Sequence, residues 1–209
     1  MRAWSRADPQ AYRGLDIEAH EILANIPLHD VWKVSLPGGG PGRTVSDLRS
    51  LMGLSSLRQL NPAVRFLFGM RAWLGAVFGW DAPRSRSVAS SFLERVPEEI
   101  RERSLERPGS SDGLFVLLYA LEREAVSEAR NATVHAFSVL VLEPDADGYR
   151  LFWAIYVAPV GRFTRFYMGA IDPFRRLVIY PAMLRQLRRS WIARYGEAPT
   201  AGPAAGLQG

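Results

Sequence analysis

Two long apolar runs, TVHAFSVLVLE (133–143) and YRLFWAIYVA (149–158), are separated only by PDADG. Aspartate and glycine supply the backbone freedom and local hydrogen bonding of a tight turn, so the unit reads as an antiparallel β-hairpin. A chain carrying such a hairpin must build its core around an antiparallel sheet. Side chains in a strand alternate between faces. His135 therefore shares a face with Thr133, Phe137 and Val139, and Trp153 shares one with Leu151, Ile155 and Val157. Three further segments read as strands. LFVLLYALE is almost continuously apolar, AVSEARN alternates small with charged residues, and DVWKVSL (30–36) alternates and is closed by Pro37 and three glycines.

The segment GRFTRFYMGAIDPFRRLVIYPAML (161–184) is oily yet carries four arginines. Its apolar residues fall at 163, 166, 167, 170, 171, 174, 177 and 178, then at 184, 187, 191, 192 and 195. Spacings of three and four mark one stripe of a helix, with the arginines opposite. Asp172 and Pro173 suit an N-cap and first helical position, and Pro181 predicts a kink. From 173 to 195 such a helix would be roughly 35 Å long. A bilayer-spanning helix needs roughly 18 or more apolar residues in a row. The longest charge-free runs here are 12 residues, so the segment is a core helix. Between the first strand and the later ones, TVSDLRSLM predicts a short helix and NPAVRFLFGMRAWLGAVFGW a longer one, capped by Asn61. Residues 81–112 read as irregular, with a helical turn at PEEIRERS.

The order is strand, two helices, a run of antiparallel strands and a closing helix, which is α+β. The expected organisation is a lead-in over 1–25, one domain over 26–195 and a disordered tail over 196–209. The stretch ARNATVHAFSVLVLEPDADGYRLFWAIYVAPVGRFTRFYMGAIDPFRRLVIYPAML resembles an uncharacterised bacterial family, a domain of unknown function. HDVWKVSLPG and VRFLFGMRAWLGAVFGW are similar to that family's opening strand and second helix. The family is placed in the START-like superfamily of polyketide cyclases, dehydrases and lipid-transport proteins, and also occurs fused behind epimerase-like reductases. The resemblance implies a helix-grip fold, a sheet wrapped around the long C-terminal helix with two helices inserted after the first strand. It also implies an apolar small-molecule cavity between sheet and helix.

Composition narrows the chemistry. There is no cysteine, which excludes disulfides, thiolate catalysis and cysteine-ligated metals. No cofactor and no metal are expected, because only three histidines exist and no spacing brings two together. PGGGPGRT lacks the glycine and lysine positions of a phosphate-binding loop and reads as a flexible loop. GSSDG matches a nucleophile elbow in letters only, since Ser111 precedes a strand instead of following one. The net charge of +5 is concentrated in residues 161–195, where eight arginines face one aspartate. That run reads as a solvated face or as a surface for a polyanion, and nucleic acid is not the expected partner. The start lacks an apolar signal stretch, so a cytoplasmic setting is expected.

His135 is the candidate acid/base residue if it faces the cavity; if it faces away, it is a hydrogen-bonded sheet histidine. Phe137, Trp153, Tyr156 and Tyr119 either line the cavity or fill core. Phe174 would meet the ligand from the helix, and Arg162 would hold a ligand carboxylate or a helix-start salt bridge. The leading expectation is a non-catalytic binder of an apolar or amphipathic small molecule. The alternatives are a cyclase- or dehydratase-like enzyme using His135, and an interaction module using the basic helix face.

Overall fold

The computed structural model describes residues 3–52, 90–111, 115–130, 135–158 and 175–196. In chain order these form β1 (Trp4–Arg6), α1 (Pro9–Arg13), α2 (Ala19–Ile22), β2 (Leu28–Pro37), α3 (Val45–Leu51) and a 3₁₀ turn (Phe92–Arg95). They continue as α4 (Glu98–Glu102), β3 (Val116–Ala120), β4 (Glu124–Arg130), β5 (His135–Asp145), β6 (Gly148–Ala158), a π turn (Arg175–Ile179) and α5 (Tyr180–Tyr195). The helix expected after Asn61, the Asp172-Pro173 cap, Arg162, Phe174 and the tail from 197 lie outside the described residues.

The architecture is α+β. Six strands form one open antiparallel sheet in the order β1-β2-β6-β5-β4-β3. The β5–β6 hairpin is continuous, from His135 opposite Ala158 to Asp145 opposite Gly148. Gly148 has φ 142°, and a Cβ there would lie 2.5 Å from the Leu36 carbonyl oxygen. Only glycine lets the end of β2 approach the turn so closely.

Both faces of the sheet are covered, which explains why β6 is apolar without interruption from Leu151 to Ala158. On one face Trp32, Leu140, Leu142, Leu151, Trp153 and Ile155 pack with Val45 and Leu48 of α3 and with Tyr180, Leu184, Leu187 and Trp191 of α5. On the other, Val126, Phe137, Val139, Phe152, Ala154 and Tyr156 pack with Tyr12, Ala19, Leu23, Phe92, Val96 and Ile100. The N-terminal residues are therefore more than a lead-in. Trp4–Arg6 pairs with β2, and Asp8 caps α1 by accepting from the Gln10 amide at 2.9 Å, with Pro9 opening the helix. Helices of five and four residues are too short for a periodic signal, which is why the lead-in reading missed them.

Leu177 corrects the helical stripe: expected in the core, it is 77% exposed. Pro181 has no amide hydrogen to offer the carbonyl four residues back, and its ring crowds that position. The carbonyl belongs to Leu177, and the backbone there opens into a π turn. The wider turn changes the rotation per residue, so the stripe regains its phase only at Tyr180, Leu184, Leu187 and Trp191.

The glycine-rich loop after β2 is a clasp, contrary to the flexible reading. Gly39 donates to the Tyr195 carbonyl at 2.8 Å, and Trp191 Nε1 donates to the Pro37 carbonyl at 3.1 Å. Tyr149 Oη donates to the Gly40 carbonyl at 2.8 Å and accepts from the Arg43 amide at 3.1 Å. A Cβ at Gly39 would lie 2.9 Å from the Trp191 ring. The loop thus needs glycine in order to close over the end of α5.

Candidate functional site

Strand parity divides the residues expected to line one cavity. Trp153 lies on the α5 face, where its Nε1 donates to Ser138 Oγ at 2.9 Å and its ring meets Tyr180 edge-on, centroids 5.0 Å apart. Trp32 meets the same tyrosine at 5.6 Å. His135, Phe137, Tyr119 and Tyr156 lie on the opposite face. The expectation that they share a space with Trp153 is therefore corrected. In a strand of period two, positions 153 and 156 point to opposite sides.

His135 takes the hydrogen-bonded alternative. It is buried, its ring lies 4.4 Å from Phe137 and 5.3 Å from Phe92, and its Nε2 donates to Glu128 Oε2 at 2.9 Å. Glu128 also accepts from Ser91 Oγ and from the Phe92 amide at 3.1 Å, with Arg130 Nε at 3.3 Å. Burial by itself would raise the Glu128 pKa, but these four donors outweigh it and hold the carboxyl below its ordinary range. Both Ser91 and His135 bond to the carboxylate, whereas a serine nucleophile would need to bond to the histidine. The cluster is a staple that fastens the 3₁₀ turn to the sheet.

A second carboxyl on the same face of β4 is partnered differently. Glu124 is 3% exposed, and its Oε1 accepts from the Glu18 amide at 3.0 Å and from Tyr119 Oη at 3.2 Å. Its Oε2 is buried with no hydrogen-bond partner among the described residues. Burial, the largest cause, pushes its pKa up to about 7, because the donors around it, the Ala19 and Glu18 amides and the Tyr119 hydroxyl, are neutral and do not offset lost hydration, and the nearby Glu18 charge adds to the rise. The Tyr119 hydroxyl is raised by burial and then by the nearby Glu124 charge, so it remains a donor at any ordinary pH. Next to this pair Tyr156 Oη donates to Tyr12 Oη at 3.3 Å, while His20 Nε2 donates to the Tyr12 carbonyl at 3.2 Å.

Glu124 lines an open groove of about 810 Å³. Its walls are residues 15–18, 20 and 21 of the N-terminal segment, Arg103 and Leu105 after α4, and the β3–β4 turn 121–124. Five carboxyls (Asp16, Glu18, Glu21, Glu122, Glu124) face two guanidiniums there. Arg103 lies 3.8 Å from Glu18, and Arg123 pairs with Glu143 outside the groove. Leu15, Ile17, Leu105 and Leu121 add apolar wall. The arrangement can desolvate an apolar body and offer an acceptor to a donor group. Neither Glu124 nor Glu128 is among the site residues expected from the sequence. The available signal was their spacing of four with Val126 between them, which puts all three on one strand face.

Among the described residues, no group of three or more His, Asp or Glu side chains is placed to hold a metal ion. No described helix is long and apolar enough to cross a membrane. No curated protein and no solved structure matches the chain. A family model does, the one described as protein of unknown function DUF2867, over residues 22–182. The matched span includes Tyr119, Glu124, Glu128 and His135 and most of the 209 residues. The chain belongs to this family of proteins of unknown function.

Proposed function

We propose that the protein is a non-catalytic binder of an amphipathic small molecule, built on a START-like helix-grip frame, with its ligand in the groove beside Glu124. The observation that carries this reading is the Glu124 carboxyl, buried in the wall of a groove of about 810 Å³ with one oxygen unpartnered. An unsatisfied buried polar atom costs about 1–3 kcal/mol. A ligand donor reaching Oε2 would offset that cost, and the volume falls within the usual range for small-molecule pockets. The original expectation put the ligand between sheet and helix. There Trp32, Trp153 and Tyr180 meet ring to ring, which favours the groove instead.

Native mass spectrometry of the purified protein tests the reading. A retained small molecule should be lost from Leu105→Trp and Leu121→Trp, which fill the groove. Retention by both filled variants, verified as folded, would put the site elsewhere.

One observation favours a second, enzymatic reading centred on Glu124. A carboxyl with pKa near 7 beside a phenol donor suits general acid–base work at neutral pH. In that case Glu124→Gln should reduce turnover by about 10²–10⁴-fold and change affinity much less. The interaction-module reading has less support. Arg176 donates to Asp30 at 3.1 Å, Arg188 donates to the Ser35 carbonyl at 3.1 Å, and Arg185 lies over the Trp4 ring. Much of the basic run is thereby engaged within the chain.

A further inference from the structure

We propose that the ligand class of the groove is an amphipathic amine, its ammonium group held by Glu124 and its apolar body lying on Ile17, Leu105 and Leu121. This rests on the groove-binding reading and deepens it. A carboxylate oxygen only accepts, so whatever completes Oε2 must be a donor. The donors at the carboxyl, the Glu18 and Ala19 amides and the Tyr119 hydroxyl, are all neutral, so an ionised Glu124 has no cationic partner among them. Buried charges are ordinarily paired.

The remaining charges select the sign of the ligand. Asp16, Glu18, His20 and Glu21 face Glu124 from the N-terminal segment, Arg103 from the loop after α4, and Glu122 and Arg123 from its own turn. Tyr119 and Tyr12 complete its surroundings beneath. Arg103 and Arg123 already have carboxylate partners in Glu18 and Glu143. An anionic ligand would meet a surplus of carboxyls, and a neutral one would leave the Glu124 charge unpaired. Oε2 is closed to bulk water, so the carboxyl must turn toward the groove to meet an ammonium. The broad terminal torsion of a glutamate allows the turn, and a charge-assisted bond to the ammonium replaces the bonds to the Glu18 amide and Tyr119 Oη that the turn loosens.

Proton linkage follows. With a pKa of about 7 the free carboxyl is about half protonated at neutral pH, and an ammonium binds its ionised form. Binding should therefore release a proton from Glu124, and amine affinity should rise from pH 6 to pH 8 while the amine itself stays charged.

The test titrates three probes of one shape, n-hexylamine, 1-hexanol and hexanoate, into the full chain by calorimetry. Titrations run at pH 6, 7 and 8 in buffers of differing ionisation enthalpy, with backbone NMR shifts locating the site. Hexylamine should bind at least tenfold tighter than hexanol at pH 8, release about half a proton at pH 7, and shift the signals of residues 15–21 and 121–124. In Glu124→Gln the amine should lose about tenfold and hexanol should be unchanged. The wild-type comparison across probes and pH needs no variant and stands if Glu124→Gln folds poorly. Equal binding of amine and alcohol, or tightest binding of hexanoate, overturns the amine proposal and leaves the groove reading intact. If no probe shifts the groove residues, the groove reading fails together with the proposal.

Discussion

Glu124 makes stability depend on pH in an unusual direction. Its carboxyl holds its proton to about pH 7 in the native chain, against an ordinary value of 4.5. Below about pH 4.5 both folded and unfolded chains are protonated and nothing is lost. As pH rises, the unfolded chain releases its proton while the native chain still holds it, so unfolding gains ground until both are ionised above about pH 7. At about 1.4 kcal/mol per pH unit, the interval corresponds to roughly 3 kcal/mol of stability lost between pH 4.5 and 7. For a chain of this length that is about 6–12 °C in melting temperature. Glu124→Gln keeps an acceptor for the Glu18 amide and Tyr119 while removing the charge. Urea denaturation of both proteins from pH 5 to pH 8 is the assay, and subtracting the variant curve from the wild type cancels the other titrating groups. The wild type should fall relative to the variant by roughly 2–3 kcal/mol over this range, with the fall complete near pH 7. A difference curve flat to within about 0.5 kcal/mol would refute the reasoning, because a carboxyl titrating normally has no linkage there.

Glu128 should act in the opposite sense: its depressed pKa contributes stability that is present above the ordinary carboxyl range and lost as pH falls through the native value, so Glu128→Gln should flatten the acid limb of a melting-temperature profile. Leu184 is fully buried and Leu177 is exposed, so Leu184→Ala should cost about 2–5 kcal/mol and Leu177→Ala no more than about 0.5 by equilibrium denaturation. Equal losses would mean that the π turn does not shift the stripe. Gly148→Ala should cost more than the roughly 1–3 kcal/mol of an unfavourable φ alone, since the new Cβ meets backbone at 2.5 Å; an unchanged melting temperature would refute the close approach. Reversing Arg188 and Arg189 to glutamate should change stability by no more than about 1 kcal/mol, and wild-type protein should pass through heparin resin at physiological salt.

The β5–β6 hairpin was legible as two strands joined around PDADG, although they pair on through Pro144, Asp145 and Gly148 and leave only Ala146 and Asp147 in the turn. The short helix after the glycine loop was legible too: Thr44 and Asp47 form a capping box. Leu184, Leu187 and Trp191 were legible as the buried stripe of the closing helix. Each depends on neighbours within a few residues, where propensity and periodicity act directly.

The candidate site depends on partners far away along the chain. Glu124 and Glu128 sit four residues apart on one strand face, with the same side-chain chemistry. One is surrounded by donors from residues 91, 92, 130 and 135 and is held ionised. The other meets neutral donors alone, amides from residues 18 and 19 and a phenol, and keeps its proton to neutral pH. Local sequence decides that both point to the same side. Only the folded chain decides which donors reach each carboxyl, because the charge on a buried group is set by the few polar atoms brought within hydrogen-bond distance of it.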